Sequence, residues 1–593
     1  MRRRTLEPLR RSGAGFGYCR RVPAPRVSLA DLLAGALPGV LGGLLTVGLV
    51  YFLNTNLELE LVSVLRASLL YGAALGAVSA LMVTLISRGR RERVTSYAVW
   101  GVCAVLCGGA ALYWAHASRF AYYLPTGINQ RLLKTGFWLA CSGLGCFYIA
   151  LSHTVGQRPY GRRGRIAVLA LAVLAVLVVA ERRASYRQPP STEPAKAALE
   201  ARRPPRLCVI GLDTASLDAL LPLAEQGQVP ALAALLHRGS YARLKTLSPT
   251  WRLPAWTTLS TGKYPFKHGL LSPQVLLAPA FGSEARLRLL PQWMGFERWG
   301  RFGNTPAASD SAGRRARALW EIIADEDRPS TVVAWPASAP LGKEVSGGAT
   351  DRFFGANGGR AEDVVPASAA LSLAELRRSP SEIAGELRGV FGPDASAVLL
   401  NAAVADRWRA GVAETLLARE ELRDGGLWLF LRGLGNVSGR LYGGYAAARQ
   451  EGSQEPADLR AAQAVTTYYR YADALIERVL SRGGFDLVAV VSAHGVNGPS
   501  GWRRALALLA SSRSLAGRSD DAPDGLLLLV GNGVKPGLIA EARLVDVAPT
   551  LLYALGMPIA DDLDGRVLTD AFSEEFLARQ PLSFLPTYER PRP

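Results

Sequence analysis

RLCVIGLDTASLDALLPLAEQGQVPALAALLHRGSYARLKTLSPTWRLPAWTTLSTGKYPFKHGLLS, Arg206 to Ser272, is the stretch whose reading decides the fold. It opens on a short apolar run, Leu207 to Leu212, that ends at Asp213. Such a run reads as a buried strand, and it presents a carboxylate at the strand's C-terminal edge, where open α/β sheets place their sites. Leu217, Leu220, Leu221, Leu223, Leu232, Leu235 and Leu236 follow on the apolar side of a helix suited to packing on a sheet, with Pro230 breaking or restarting the run. A second strand is predicted over Tyr241 to Leu247. Pro254 then falls in the first turn of another helix, which puts Trp251, Arg252 and Leu253 at a helix N-terminus, the end that favours anions.

Downstream, the same alternation continues. Strands are predicted at Thr331 to Trp335, Leu427 to Arg432, Asp486 to Ser492 and Leu526 to Val530, with helices at Arg317 to Ala324 and Pro456 to Leu480. A helix over Val545 to Leu555 should stop at Gly556, and Glu362 to Gly392 reads as helical and peripheral, a cap over the pocket. Strands interleaved with helices indicate an α/β domain with a mostly parallel central sheet.

Upstream the chain changes character. Apolar runs at Leu29 to Leu53, Val62 to Ile86, Tyr97 to Ala115, Leu132 to Leu151 and Ile166 to Ala180 predict five transmembrane helices, the fifth short, with Arg165 and Arg182 able to snorkel from its ends and Arg66 from the second. Arginines cluster before the first run (Arg2 to Arg4, Arg10, Arg11, Arg20, Arg21, Arg26), between the second and third (Arg88, Arg90, Arg91, Arg93) and between the fourth and fifth (Arg158, Arg162, Arg163, Arg165). By the positive-inside rule these segments are cytoplasmic, and five crossings put the C-terminal domain outside the cytoplasm. Arg182, Arg183 and Arg187 pull weakly the other way. The chain thus divides into a basic tail (1–27), a five-helix membrane region (28–181), a Pro- and Arg-rich linker (182–205) and an α/β domain (206–593).

The net charge of +19 over 593 residues is largely these topogenic arginines. No nucleic-acid module accompanies it, so anionic lipid headgroups are the expected consequence. Of the six cysteines, Cys103, Cys107, Cys141 and Cys146 lie in apolar runs and Cys19 in the tail, leaving Cys208 alone in the C-terminal domain without a disulfide partner.

VIGLD, followed by SPTxxxPAWTTLSTGKYPxxHG, resembles the type I phosphodiesterase/nucleotide pyrophosphatase branch of the alkaline phosphatase superfamily. The similarity runs on through Leu319 to Ile323, Val332 to Pro340, Leu429 to Gly439, Val490 to Gly495, Ala522 to Val534 and Val545 to Leu568, nearly everything after residue 205. The resemblance implies an alkaline-phosphatase-like fold, and it makes Pro273 to Gly313 a variable insertion that shapes substrate access. In that insertion Trp293, Phe296 and Trp299 either line the access or cover the core edge. His268, in the YPxxHG turn, falls at a position the family uses structurally.

The resemblance also implies two divalent metals on six Asp/His ligands, with a Thr or Ser nucleophile. Asp213 and His494 match two ligands. The nucleophile position is held by Arg252, whose guanidinium stays protonated. Gly435 and Gly439 stand where the family has an Asp and a His, Ala493 where it has an Asp, and Asp521 where it has a final His. Two matching donors are fewer than a transition-metal site normally needs, so no catalytic residue and no cofactor are expected. Arg252 either pairs with Asp213 and helps hold a phosphate, or points to solvent beside an eroded site.

The reading that follows is a membrane-anchored pseudoenzyme whose Arg252, Asp213 and His494 bind an anionic or phosphorylated envelope ligand, or a protein partner, at a bacterial plasma membrane. Its rival is an active phosphodiesterase or phosphotransferase with zinc or manganese on Asp213, His494 and Asp521, and Thr250 or Ser248 as nucleophile; five spans before such a domain resemble envelope-modifying phosphotransferases. In a third reading the membrane half carries the function.

Overall fold

A computed structural model of the chain describes residues 28–90, 94–187, 205–299, 304–308, 313–326, 328–355, 358–378, 381–393, 395–498, 517 and 521–590, without the side chains of 88–90, 297, 299, 308 and 384. The basic tail, most of the arginine cluster at 88–93, most of the linker and the Trp299 side chain lie outside that set.

Five N-terminal helices are long and apolar enough to cross a membrane. They are α1 (Leu29–Leu53), α2 (Leu61–Arg90), α3 (Val94–Arg119), α4 (Thr126–Val155) and α5 (Arg162–Ala184). The fifth, expected to be short, runs for 23 residues, beyond the roughly 20 a bilayer requires. α1 is the centre of the bundle: 61% of its most apolar window is buried, against 28% for α2 and 22% for α5. Small residues let α1 and α2 meet backbone to backbone. A Cβ at Gly39 would stand 2.0 Å from the Leu75 carbonyl oxygen, and one at Gly43 2.6 Å from that of Tyr71, the close approach that drives helix association in lipid. Buried Arg183, near the end of α5, donates to the Tyr51 carbonyl in the last turn of α1 at 2.7 Å, which places a cation at a helix C-terminus.

The C-terminal domain is built on a nine-stranded mixed sheet in the order β12-β2-β11-β10-β1-β9-β6-β7-β8. Its strands are β1 (Leu207–Leu212), β2 (Ser240–Lys245), β6 (Ser330–Val333), β7 (Gly347–Ala349), β8 (Val364–Val365), β9 (Gly426–Leu431), β10 (Leu487–Ser492), β11 (Gly525–Gly531) and β12 (Gly537–Arg543). The central strands β10, β1, β9, β6 and β7 are parallel, whereas β11 runs antiparallel to both β10 and β2, and β8 to β7. All of β1 is buried, as a strand covered on both faces should be. Leu207 and Val209 join one apolar layer, Cys208, Ile210 and Leu212 the other. The predicted break at Pro230 separates α6 (Leu217–Glu225) from α7 (Pro230–Arg238), and α8 (Arg252–Thr261) follows β2. Glu362 to Gly392, read as helical and peripheral, holds the short β8 and two short helices, Ala370–Glu375 and Ala384–Phe391, in keeping with Pro366 before the first helix and Pro380 between them.

The insertion after α8 forms a small sheet, β4 (Arg286–Leu287), β3 (Gln274–Leu277) and β5 (Thr305–Ala308), in that order. It docks on the membrane bundle. Phe281 packs against Tyr51 and Tyr71 at ring-centre distances of 5.5 and 5.8 Å, and Phe296 against Tyr71 at 6.0 Å. Buried Asn54, just past α1, accepts from the Arg288 and Leu289 N–H groups and donates to the Leu289 carbonyl. His116, near the end of α3, accepts from the Gln292 N–H at 2.8 Å and meets Trp293 edge-on. Trp293 and Phe296 therefore serve this junction, not the core edge.

Candidate functional site

Register places the site. On β1, Gly211 pairs with Val491 of β10 and Leu212 with Leu431 of β9. The residues just beyond, Asp213, Arg432 and the Ala493-His494 pair, therefore stand side by side along one C-terminal sheet edge, the usual place for a site in such sheets.

Asp213 is buried, 3% exposed. One carboxylate oxygen accepts from the Trp256 indole N–H at 3.2 Å, and the other faces the Arg252 guanidinium at 3.8 Å. Arg252 is the first residue of α8, and its side chain is 37% exposed, so the pair has a sheltered anion and a cation that still reaches solvent. Distance and partial hydration make it a weak ion pair. It leaves the guanidinium with donors to offer.

Two further charged groups share this cleft. Arg432 interacts electrostatically with Arg252 and Asp213, and Asp351 with Arg252 and Arg432. Both touch solvent, yet the surrounding walls thin the water. That desolvation pushes the Asp351 carboxyl above its ordinary range, against the pull of Arg252 and Arg352. It also lowers the Arg432 guanidinium, with the Arg252 charge adding to the effect, though an arginine remains cationic. Two guanidinium and two carboxyl groups thus act on one another here. Arg432 was legible, since it ends a predicted strand as Asp213 does. Asp351 follows a three-residue strand with no sequence signal of its own.

His494 is 1% exposed. Its Nδ1 meets the Gly495 carbonyl at 2.9 Å, so that nitrogen carries the proton and Nε2 keeps a lone pair. Nε2 is buried without a partner. Ala493 is fully buried beside it.

The remaining predicted positions lie elsewhere. Asp521 is mostly exposed and pairs with Arg119, the last residue of α3, at 2.5 Å; its carboxylate is turned to the membrane bundle. Thr250 is buried and donates to the Leu247 carbonyl at 2.7 Å, while Ser248 is exposed. Gly435 and Gly439 lie in the first two turns of the helix Gly433–Gln450. Nothing stands within 4 Å of a Cβ at Gly439, but a Cβ at Gly435 would lie 2.4 Å from Oδ2 of Asp213. The space a side chain at Gly435 would need is taken by Asp213.

The donor set does not fit the two metals implied by the fold. Among the described residues no three His, Cys, Asp or Glu side chains converge as a metal site, and Asp213, His494 and Asp521 in particular do not. A guanidinium stands beside the carboxylate that would have been a ligand.

The family model for type I phosphodiesterase/nucleotide pyrophosphatase matches residues 207–500. No curated protein matches the chain. Among solved structures, murine ectonucleotide pyrophosphatase/phosphodiesterase 5 is similar at 11% identity over 62% of this chain and 100% of its own, with a TM-score of 0.37. Alkaline phosphatase PafA is similar at 9% identity over 63% and 100%, with a TM-score of 0.42. A putative sulfatase from Bacteroides thetaiotaomicron VPI-5482 is similar at 12% identity over 62% and 74%, with a TM-score of 0.37. Behind five helices of membrane-spanning length, the chain carries over residues 207–500 a domain similar to type I phosphodiesterase/nucleotide pyrophosphatase.

Proposed function

We propose that the protein is a membrane-anchored, phosphodiesterase-like pseudoenzyme that binds an anionic, phosphorylated envelope ligand without hydrolysing it, or uses the same pocket to engage a protein partner. The observation that carries this reading is the 3.8 Å pairing of Arg252 with Asp213: a fixed cation occupies the place of the nucleophile, beside the carboxylate that would otherwise ligate metal. Arg252 and Arg432 supply the planar donor forks that phosphate oxygens fit. We place it in a bacterial plasma membrane; arginine placement along the chain supports a cytoplasmic N-terminus and a C-terminal domain outside.

The rival reading, a metal-dependent phosphodiesterase or phosphotransferase, draws on the free lone pair of His494. Among the described residues no third donor converges with Asp213 and His494, and the buried Thr250 hydroxyl is engaged by the Leu247 carbonyl. The test is the purified full chain, assayed for zinc and manganese content, for cleavage of an aryl phosphodiester and for binding of a soluble phosphate ester. The expected result is substoichiometric metal, no turnover, and phosphate binding that Arg252→Ala removes. Stoichiometric metal with turnover abolished by Asp213→Ala would overturn the proposal.

A further inference from the structure

The end of α3 and the loop after it hold the C-terminal domain at two places, one of them the entry to α8. In the α3–α4 connection, the Tyr123 hydroxyl donates to the Pro249 carbonyl at 2.6 Å, and the rings of Phe120 and Tyr123 pack on Trp251 at 5.9 and 5.3 Å. That fixes the segment leading into Arg252. At the other place, Arg119 holds Asp521 at 2.5 Å. Tyr122 stacks on Tyr264, just beyond α8, at 4.8 Å.

α3 is of spanning length, so its end at Arg119 marks the bilayer surface on the domain's side. Residues bonded to that end lie at headgroup height. Beside Trp251 a cavity of about 170 Å³ opens between the insertion sheet and the α8 entry. Gln274, Arg288 and Gln292 give it polar walls; Leu276, Leu290 and Pro306 give it apolar ones. A mixed lining at the level of the headgroups fits an amphiphile better than a freely soluble anion.

We propose that the pocket takes its phosphate from a membrane lipid: the phosphate of an anionic glycerolipid in the leaflet on the domain's side meets Arg252 and Arg432, while the adjoining apolar part of the lipid enters the cavity beside Trp251. The five helices then do more than anchor, because their outer loop sets the height and shape of the site. This inference rests on the anion-binding reading above and names the source of the anion.

The test uses the full chain in nanodiscs of equimolar phosphatidylglycerol and phosphatidylcholine, and in phosphatidylcholine alone with soluble glycerol phosphate added. Bound phosphate species are counted by native mass spectrometry. Wild type is expected to retain phosphatidylglycerol, with soluble glycerol phosphate at least about tenfold weaker. Arg252→Ala should lose the retained lipid, and Gln274→Trp, which fills the exposed cavity mouth without disturbing the core, should weaken retention by a similar factor. If glycerol phosphate binds as tightly as the lipid and Gln274→Trp changes nothing, the lipid source is wrong while the anion pocket stands. Binding of neither species overturns both. Lipid retained equally by Arg252→Ala means that the bundle surface, not this pocket, holds it, and the inference fails.

Discussion

Gly435 and Asp213 exclude one another's side chains: a Cβ at 435 would lie 2.4 Å from Oδ2 and 2.7 Å from Cγ of Asp213. The helix beginning at Gly433 approaches the end of β1 closely because residue 435 has no side chain, so the packing as it stands leaves no room for a carboxylate there. Gly435→Asp is therefore expected to leave metal content unchanged and to destabilise the fold by about 1–3 kcal/mol through overpacking, with like-charge repulsion added. Elemental analysis and a thermal melt of the purified variant check this; a gain of bound zinc or manganese at unchanged stability would contradict it.

Asp406 holds the start of the same helix. Buried at 1% exposure, it accepts from the Arg432 and Gly433 N–H groups, the Tyr468 hydroxyl and the Arg409 guanidinium, all at 2.8–3.0 Å. Asp406→Ala leaves the buried cation of Arg409 and two helix-start donors without their partner, and should cost about 3–5 kcal/mol. Breaking the exposed Arg243–Asp218 pair with Arg243→Ala should cost under about 1 kcal/mol. Denaturant melts of the two variants should differ accordingly, and similar losses would refute the argument.

His268 gives a pH dependence. It is fully buried and accepts the Leu270 N–H on Nδ1, leaving Nε2–H for the Thr258 hydroxyl. Burial, helped by the Arg314 charge, lowers its pKa from 6.5 to about 3. The folded value lies below the unfolded one, so the stability that neutral His268 contributes is complete above about pH 6.5 and is lost as pH falls toward about 3, at up to about 1.4 kcal/mol per pH unit. His268→Gln should be less stable than wild type at pH 7 and should lose less of its stability on acidification through that window. Parallel pH profiles for the two proteins would refute the assignment.

Gly39 predicts behaviour inside the bundle. A Cβ there would stand 2.0 Å from the Leu75 carbonyl oxygen and 2.6 Å from Cβ of Ser79, so Gly39→Val should force α1 and α2 apart. Because α1 is the bundle's centre, the expected outcome is loss of monodisperse protein in mild detergent. Gly108→Val, where nothing lies within 4 Å of the added Cβ, should behave as wild type. Size-exclusion profiles of the two variants decide the matter.

Local chemistry made much of this protein legible. An apolar run of about 20 residues has few alternatives to a spanning helix, and a short apolar run ending in a carboxylate before a leucine-rich helix reads as a buried strand with a site at its edge, as β1 and Asp213 are. Arg252 and Ala493 could be set aside as metal ligands because a side chain without a lone pair cannot ligate metal wherever it points. Tertiary structure alone decided which charges share the cleft: Asp351 comes to Arg252 through a strand of three residues, and Asp521 goes to Arg119 across 402 positions of chain. It also decided that the insertion's aromatics serve the bundle and that the Asp213 side chain fills the space at Gly435. Periodicity and composition report what each segment must bury. Where two buried surfaces meet depends on contacts between residues hundreds of positions apart, and these are set only when the sheet order and the seat of the domain on its helices are fixed together.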